Sequence, residues 1–437
     1  MPEIRPFRAL RYDPETVGDL DRVMAPPYDV IGPAEHRALL ARHPRNAVRL
    51  DLPAEEPGDG PDDRYRRAAR TFAAWRSDGT FHKDPRPSLY VYEQAYRVPG
   101  GDEERVQRGF FGRLRLEPFG PGSGVLAHER TLDAPKEDRY KLLRATGANM
   151  SPVVGLYAEP AGRAPAILEQ LAAAPPDVAV RDNDRVAHRL WVVAEVGPGG
   201  SAVDELLRIA TAGPITIADG HHRYETALRY RDERRMTRSC ETDPAFDFIL
   251  ALLLDVGEPL TVLPTHRVVC GLGAEGTATL ERGLPELFEA EPAGPDELIR
   301  RFGPPLTLGG AGRFGLWTRR GGALLTARRA AIEPLLPAAS AALRGLDVTL
   351  LQVALDRLAG VGPAAAAAGR LAYTKSPAEA VAWVDAASDG ADAAFLLEPT
   401  PIASVLAVAA AGEAMPQKST YFYPKALTGL LVNPHEW

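Results

Sequence analysis

The chain has 437 residues, of which 45% are hydrophobic and 25% are charged. These proportions are typical of a globular protein with two or three domains, and they exclude a disordered or fibrous chain. The 58 acidic and 51 basic residues leave a formal net charge of −7. Because nucleic-acid binding usually requires a basic surface, we expect no nucleic-acid partner.

The apolar runs and the start of the chain indicate a cytoplasmic protein. The longest runs, Ile249–Leu254 and Ile402–Ala411, are well short of the ~20 residues that cross a bilayer, so we expect no membrane partner. The first residues contain no apolar leader segment. Two cysteines, Cys240 and Cys270, are too few for a disulfide framework and cannot form a zinc site alone.

Hydrophobic periodicity predicts an alternation of helices and strands. Helical spacing predicts a helix over Tyr65–Trp75, and two alternating segments joined by a glycine turn predict an antiparallel hairpin over 88–116. A further helix is predicted at Ala134–Thr146, and short strands alternate with helical stretches from there to about residue 270. Beyond residue 276 we expect helices near 278–288, 346–358 and 376–386, and strands near 313–318 and 393–398.

These elements indicate an α+β fold in three regions. An N-terminal mixed α/β region with the hairpin takes residues 1–120, and a central region over 121–270 carries the motifs described below. A C-terminal α/β region takes residues 271–437, with a low-complexity connector at 359–369.

A GxGxxG pattern occurs at Gly271, Gly273 and Gly276, between a predicted strand and a predicted helix. A dinucleotide site also requires a second apolar strand that ends in a ribose-binding acid. The chain after the helix lacks such a strand, since it runs LFEAEPAGPDELI (287–299). We therefore interpret the pattern as an ordinary glycine turn. The sequence contains no Walker A, HExxH or CxxC motif.

Lysine is rare in this chain, with six lysines among the 51 basic residues. A lysine retained against such a bias could mark a place where a compact point charge is needed, and composition drift is the alternative. Four of the six lie in two short segments, 136–141 and 418–425.

The segment GPITIADGHHRYETALRY (213–230) stands out chemically. It predicts a strand, a break at Asp219-Gly220 with Asp219 as the helix N-cap, and then a helix. His221, His222 and Arg223 would place up to three cations in the first turn, where the helix dipole disfavours positive charge by ~0.3–1 kcal/mol each.

A bound anion would remove this conflict, because backbone N–H groups, the dipole and the basic side chains would all face it. Gly220 would let a phosphate approach the backbone closely. A capped helix with solvated histidines is the alternative.

IADGHHRYETAL (217–228) resembles the phosphate-binding signature of the ParB/sulfiredoxin superfamily, most closely its free-serine kinase branch, SerK. That branch also has an upstream His-Glu pair, which corresponds here to His128-Glu129. A wider resemblance, covering nearly the whole chain, is to the family called domain of unknown function 1015. Its recurring segments resemble APPYDVI (25–31), HERTLDAPKEDRYKLLRATGANMSP (128–152), IADGHHRYETAL, LPTHRVV (263–269) and MPQKSTYFYPKALTGL (415–430).

The SerK-like resemblance implies a ParB/sulfiredoxin-like nucleotide-binding core and a small-molecule kinase. Glu129 would be the general base, and Asp219 would act beside it, through Mg²⁺ or on the substrate hydroxyl. Gly220, His221, His222 and Arg223 would hold the phosphates of ATP or ADP, and L-serine is the first candidate acceptor. Such residue types suit phosphoryl transfer, which needs charge stabilisation and a positioned acceptor.

Two other functions stay open. A ParB-like, non-catalytic nucleotide switch would use the same phosphate site, whereas an RNA- or protein-interaction scaffold would leave the His-His-Arg cluster unexplained. Without the resemblance, Glu129 and His128 would be read as solvated loop residues.

Further candidate pocket residues come from three segments. Arg139 lies on a charged helix and could reach a phosphate, although such charge runs are usually solvated. The aperiodic C-terminal segment around 416–430 could close the site or dock on the surface, and we favour closure because it contains two of the rare lysines. The candidates are Arg139, Asn149, Ser151, His266, Lys418 and Lys425.

Overall fold

A computed structural model describes the chain except for residues 121, 132, 195–200, 238–243, 311 and 436–437. Cys240 lies outside the described residues. The described elements form a mixed α/β structure, in agreement with the predicted fold class. The strands are β1 (Ile4–Arg5), β2 (Leu10–Tyr12), β3 (Phe81–Lys83), β4 (Ser88–Arg97), β5 (Glu104–Arg115), β6 (Val125–Leu126), β7 (Ala148–Asn149), β8 (Val153–Tyr157), β9 (Val178–Arg181), β10 (Ala187–Ala194), β11 (Ile215–Asp219), β12 (Phe248–Asp255), β13 (Thr261–Leu263), β14 (His266–Cys270), β15 (Phe288–Ala293), β16 (Arg313–Thr318), β17 (Gly321–Ala327), β18 (Leu371–Thr374), β19 (Ala391–Leu396), β20 (Tyr421–Tyr423) and β21 (Asn433–Pro434).

The helices include the predicted ones. The predicted helices Tyr65–Trp75 and Ala134–Thr146 are confirmed within Asp63–Ser77 and Asp133–Thr146. The three predicted C-terminal helices are confirmed as Gly273–Leu287, Asp347–Ala359 and Pro377–Asp385. No helix in the described part of the chain is long and apolar enough to cross a membrane. The helices are α1 (Pro14–Val17), α2 (Pro33–Arg42), α3 (Val48–Asp51), α4 (Asp63–Ser77), α5 (Asp133–Thr146), α6 (Arg163–Leu171), α7 (Ala202–Ala210), α8 (His221–Thr237), α9 (Gly273–Leu287), α10 (Pro295–Phe302), α11 (Arg329–Ile332), α12 (Ala341–Arg344), α13 (Asp347–Ala359), α14 (Pro363–Ala365), α15 (Pro377–Asp385) and α16 (Ile402–Ala410).

The larger sheet brings the two sequence motifs together. Its order is β6-β11-β8-β12-β5-β4-β10-β9, with β1 beside β5, and the predicted hairpin is confirmed as antiparallel β4 and β5. The short edge strand β6 runs parallel to β11. Because parallel neighbours leave a sheet at the same edge, β6 delivers His128-Glu129 beside the Asp219–Arg223 turn that follows β11.

The second sheet is antiparallel throughout, with the order β15-β17-β16-β19-β14-β18. Phe288–Ala293 is a strand that the sequence analysis did not predict, but it is not the apolar strand ending in an acid that a dinucleotide site requires. It shows no apolar run because it is an edge strand whose residues after Phe288 are mostly exposed. As an antiparallel edge strand it does not form the parallel unit of a dinucleotide site.

Hydrogen bonding groups the chain differently from the predicted regions. Strands from both sides of residue 120 share the larger sheet, and β14, which precedes residue 270, belongs to the second sheet. The strands of the larger sheet come before residue 265, and those of the second sheet come after it. The division into three folding regions stays a prediction.

The C-terminal segment is built into the core, so it is not a tail docked on the surface, and its closing of the site stays a prediction. β20 pairs with β13, and β21 pairs with β7. Leu427, Leu430, Leu431 and Val432 are buried in the core cluster of the N-terminal half. A truncation from Gln417 onward would therefore remove part of the core rather than a lid.

Asn149 fastens the end of the chain to the larger sheet. Its Oδ1 accepts hydrogen bonds from Leu250 N at 3.1 Å and from Asn433 Nδ2 at 2.9 Å, and the residue is 7% exposed. These contacts give Asn149 a structural role at a position proposed above for a pocket.

Asn149→Ala should lower the free energy of unfolding by about 1–3 kcal/mol, because the buried Leu250 N–H loses its acceptor. Urea unfolding followed by circular dichroism measures this. Asn183→Ala is the matched control, since Asn183 accepts only a surface bond from Arg42 among its described side-chain bonds. Equal stability of the two variants would contradict the role given to Asn149.

Candidate functional site

The turn between β11 and α8 depends on Gly220. Its φ is +87°, in the left-handed region, and its carbonyl accepts the Tyr224 N–H at 2.9 Å. A Cβ here would lie 3.1 Å from the Arg223 guanidinium. Gly220 thus stands immediately before the helix, which corrects the prediction of Asp219 as the N-cap: Asp219 is the last residue of the strand.

The Asp219 carboxylate binds two cations. Its Oδ2 accepts from Arg223 Nη2 at 2.6 Å, and its Oδ1 accepts from Lys425 Nζ. Burial alone would raise the pKa of Asp219, but Lys425 and Arg223 outweigh it and hold the pKa below its usual range. Asp219 is therefore an ionised anchor and a poor proton acceptor at neutral pH.

Arg223 is directed into the protein. Its side chain is 9% exposed, and besides Asp219 it donates to the carbonyl of Pro152. Its Nε is buried without a hydrogen-bond partner among the described residues. The guanidinium mainly fixes the turn, and its Nε–H is a donor without an acceptor among the described residues.

The histidines do not add charge to the helix N-terminus. His221 is 8% exposed, and its ring packs edge-on against His128 at 4.6 Å. Burial, followed by His128, lowers the pKa of His221, and burial, followed by Lys418, lowers the pKa of His222. The expected cluster of up to three cations is thus corrected: both imidazoles are neutral at pH 7, and Asp219 balances Arg223.

His128 connects strand β11 to the C-terminal segment. Its Nδ1 donates to the Ile217 carbonyl at 2.5 Å, which leaves Nε2 to accept from the Thr420 hydroxyl at 3.0 Å. The residue is fully buried, and burial lowers its pKa to about 4. His128 is therefore a neutral connector within the site.

Glu129 is held by the C-terminal segment and is not a solvated loop carboxylate. Its carboxylate accepts the Lys418 N–H at 2.8 Å and the Ser419 N–H at 3.3 Å. Lys418 has a φ of +54°, a strained conformation for a residue other than glycine. Burial raises the pKa of Glu129 despite these two N–H donors.

Four of the rare lysines lie around this site. Lys375 and Lys425 contact the Tyr421 ring, with their Nζ atoms 4.3 Å and 4.4 Å from its centroid. Lys136 and Lys418 are close enough to His222 to lower its pKa. Three of these lysines belong to the two segments noted in the sequence, whereas Lys375 lies outside both and Lys141 pairs with Asp62.

Two further candidates, Arg139 and Ser151, lie next to the site and contact Asp51. Arg139 is 4% exposed, stacks on the Tyr28 ring at 3.9 Å and donates to the Asp51 carbonyl at 2.5 Å, so its guanidinium already has partners. Ser151 donates to Asp51 Oδ1 at 3.4 Å. Both residues, with Asn149 and Arg223, line a small cavity of about 40 Å³.

His266 belongs to the second sheet. Its Nδ1 accepts the Leu397 N–H at 3.1 Å, and burial lowers its pKa to about 3. The next residue, Arg267, is more informative: it is 1% exposed, its Nη2 has no partner among the described residues, and it interacts electrostatically with Glu129 and Tyr373. Sequence reasoning missed Tyr373, because only the pairing of β14 with β18 places it beside Arg267.

The resemblance implies that Asp219 could act through Mg²⁺, but a magnesium ion does not fit there. Both carboxylate oxygens already bind the side chains of Lys425 and Arg223, and these two positive charges would repel a divalent cation. The described residues include no group of three or more histidine, cysteine or acidic side chains arranged to hold a metal. The ammonium of Lys425 supplies positive charge at the place assigned to the ion.

Solved structures with partial similarity include a free serine kinase in complex with AMP, at 12% identity and a TM-score of 0.35, covering 68% of this chain and 83% of that one. A mutant free serine kinase in complex with ADP matches at 12% identity and a TM-score of 0.36, covering 75% and 92%. SbnI from Staphylococcus aureus, with a C-terminal truncation, matches at 11% identity and a TM-score of 0.36, covering 72% and 86%.

No curated protein matches this chain. The model of the family described as "Protein of unknown function (DUF1015)" matches residues 4–349, and the chain therefore belongs to the DUF1015 family.

Proposed function

We propose that this protein is a nucleotide-dependent kinase that phosphorylates the hydroxyl of a small metabolite, using a ParB/sulfiredoxin-like core and a SerK-like DGHHR motif. One observation carries the proposal: a carboxylate with a raised pKa, Glu129, lies beside a glycine turn at a helix N-terminus, and Lys418 and Lys425 are close to both. L-serine is the first acceptor to test.

The nucleotide phosphates would bind at the Gly220 turn. The first N–H groups of α8 point toward this end of the helix, and Gly220 lets an anion approach the backbone. Because both histidines are neutral and Arg223 is paired, the positive charge for the phosphates would come from the lysines, with Lys418 the most exposed of those near His222. His222 would add a neutral imidazole donor.

Glu129 would act as the general base. In the transfer step, the acceptor oxygen forms a bond to the terminal phosphorus of ATP or ADP, and the bond from that phosphorus to the bridging oxygen breaks. The hydroxyl proton moves to Glu129, and the nucleotide leaves with one phosphate fewer. Electrostatic stabilisation of the transferring group would come from Lys418 and Lys425.

Asp219 would position these groups rather than exchange protons. Its ion pairs hold Lys425 and Arg223 on either side of the turn, so the ammonium is in place before a nucleotide arrives. Any Mg²⁺ would have to enter with the nucleotide, since Asp219 offers it no free oxygen, and we derive no step through the ion.

A nucleotide switch is the second candidate, favoured by the bond between Asp219 and Lys425. A phosphate that drew Lys425 away from Asp219 would disturb the neighbouring strand β20 and, through β13, the chain between the two sheets. The expected sign is a change of at least about threefold in amide exchange over Tyr421–Tyr423 when ADP is added, measured by mass spectrometry. Unchanged exchange with bound ADP would count against the switch.

Lys418→Ala should weaken ADP binding about tenfold, because a charge-assisted contact to phosphate is lost from an exposed side chain. Isothermal titration calorimetry measures the affinity. Lys141→Ala is the matched control, because Lys141 pairs with Asp62, and it should bind ADP like the unaltered protein. Equal affinity of the two variants would remove Lys418 from the phosphate site.

Glu129→Gln should lower turnover by at least ~10²-fold and change ADP affinity little, because the amide cannot accept the hydroxyl proton. Phosphorylated product is measured by mass spectrometry with ATP or ADP, Mg²⁺ and a panel of hydroxyl compounds led by L-serine. The activity of the unaltered protein should rise with pH through the pKa of Glu129, which lies above the usual carboxyl range, and this acidic limb should be missing in the variant.

Thermal unfolding of Glu129→Gln provides the control, since the amide can still accept one of the two N–H bonds from residues 418–419. If the unaltered protein phosphorylates no compound of the panel while it binds nucleotide, the kinase proposal fails and the nucleotide site stands.

A further inference from the structure

A cavity of about 470 Å³ lies beside the residues that follow Glu129 in the chain. Arg130 and Thr131, which directly follow Glu129, form one side of it, and Pro416 and Gln417 form another. Helix α13 supplies the wall opposite, through Thr349, Gln352 and Val353. The cavity therefore lies where the larger sheet's motif loop meets the C-terminal half.

The cavity shares its wall with the proposed base. Gln417 lines the cavity, and the N–H of the next residue binds the Glu129 carboxylate at 2.8 Å. Tyr373 also lines the cavity, and its hydroxyl interacts electrostatically with Glu129. The cavity therefore adjoins residues that contact or face Glu129.

The lining is mostly apolar, and its polar side chains include Arg130, Asp356 and one unsatisfied hydroxyl. Leu343 and Val353 are among its aliphatic side chains, and proline and alanine residues make up much of the rest. Thr349 is 4% exposed, and its Oγ1 has no hydrogen-bond partner among the described residues. A buried hydroxyl left without a partner costs about 1–3 kcal/mol, so it marks a position where a polar atom of a ligand is favoured.

We propose that this cavity binds the hydroxyl-bearing acceptor, and that the acceptor has an apolar body larger than that of serine. The catalytic part of this inference rests on the proposed kinase function, whereas binding in the cavity does not. Serine is polar at almost every atom and would leave most of the space and the aliphatic walls without contacts. A compound with an apolar body would bury against them, and a second polar group on it would bond Thr349.

The test uses 4-phenyl-1-butanol as the probe, with binding to the full chain followed by saturation-transfer NMR. Val353→Trp fills the cavity and should weaken probe binding by at least about tenfold, and Thr349→Val should weaken it about threefold. Arg357→Trp is the matched control: it adds the same ring to α13 at an exposed residue that pairs with Glu286, and it should bind the probe normally.

ADP titrations of the same three variants separate this inference from the proposed function. All three should bind ADP within about twofold of the unaltered protein, because none lies at the Gly220 turn. Probe binding that is unchanged in Val353→Trp and Thr349→Val, or displacement of the probe by equimolar L-serine, would overturn the inference. Failure of ADP to bind the unaltered protein would overturn the nucleotide site and leave the probe result standing.

If Val353→Trp does not fold, Thr349→Val still decides the matter, since it removes one hydroxyl and keeps the side-chain shape. Probe affinity equal to that of the unaltered protein in a folded Thr349→Val would then overturn the role of the cavity.

Discussion

The ion pairs of Asp219 connect three distant parts of the chain. The carboxylate ends strand β11, Arg223 belongs to the first turn of α8, and Lys425 comes from the C-terminal segment. The buried carboxylate thus has two cationic partners, and Asp29 and Asp51 also face Arg223, so each buried charge here has an opposite charge near it. The arrangement fixes the turn at which the proposed function places the phosphates.

This dependence explains why the C-terminal segment is buried rather than mobile. Lys425 can reach Asp219 only because β20 is paired with β13 and the leucines beyond it are packed in the core. The same segment positions Glu129 through two backbone N–H groups. A flexible lid would order these groups only on binding and would lose affinity to the entropy of ordering, whereas a packed segment has them in place beforehand.

Local pattern was enough to predict the elements, and long-range contact decided the site. The hairpin at 88–116 and helix Tyr65–Trp75 follow from side-chain periodicity, which depends on neighbours in sequence. The strand Phe288–Ala293 was missed because an exposed edge strand needs no apolar face. The neutral state of His221 and His222 was missed because burial, which lowers their pKa, is set by segments far away in the chain.

The pKa values of the two acidic residues of the site are shifted in opposite directions, and this difference supports the roles proposed for them. Burial raises the pKa of both, but Asp219 is bonded directly to two cationic side chains, which reverse the shift, whereas the two N–H groups and the charges of Lys418 and Lys425 do not reverse it at Glu129. Sites that pair a permanently ionised carboxylate with one of raised pKa separate charge stabilisation from proton transfer. Under the proposed function the partners, and not the acids themselves, would set these roles, so the C-terminal segment, which supplies Lys425 and the two N–H groups, would help to determine the chemistry of the site.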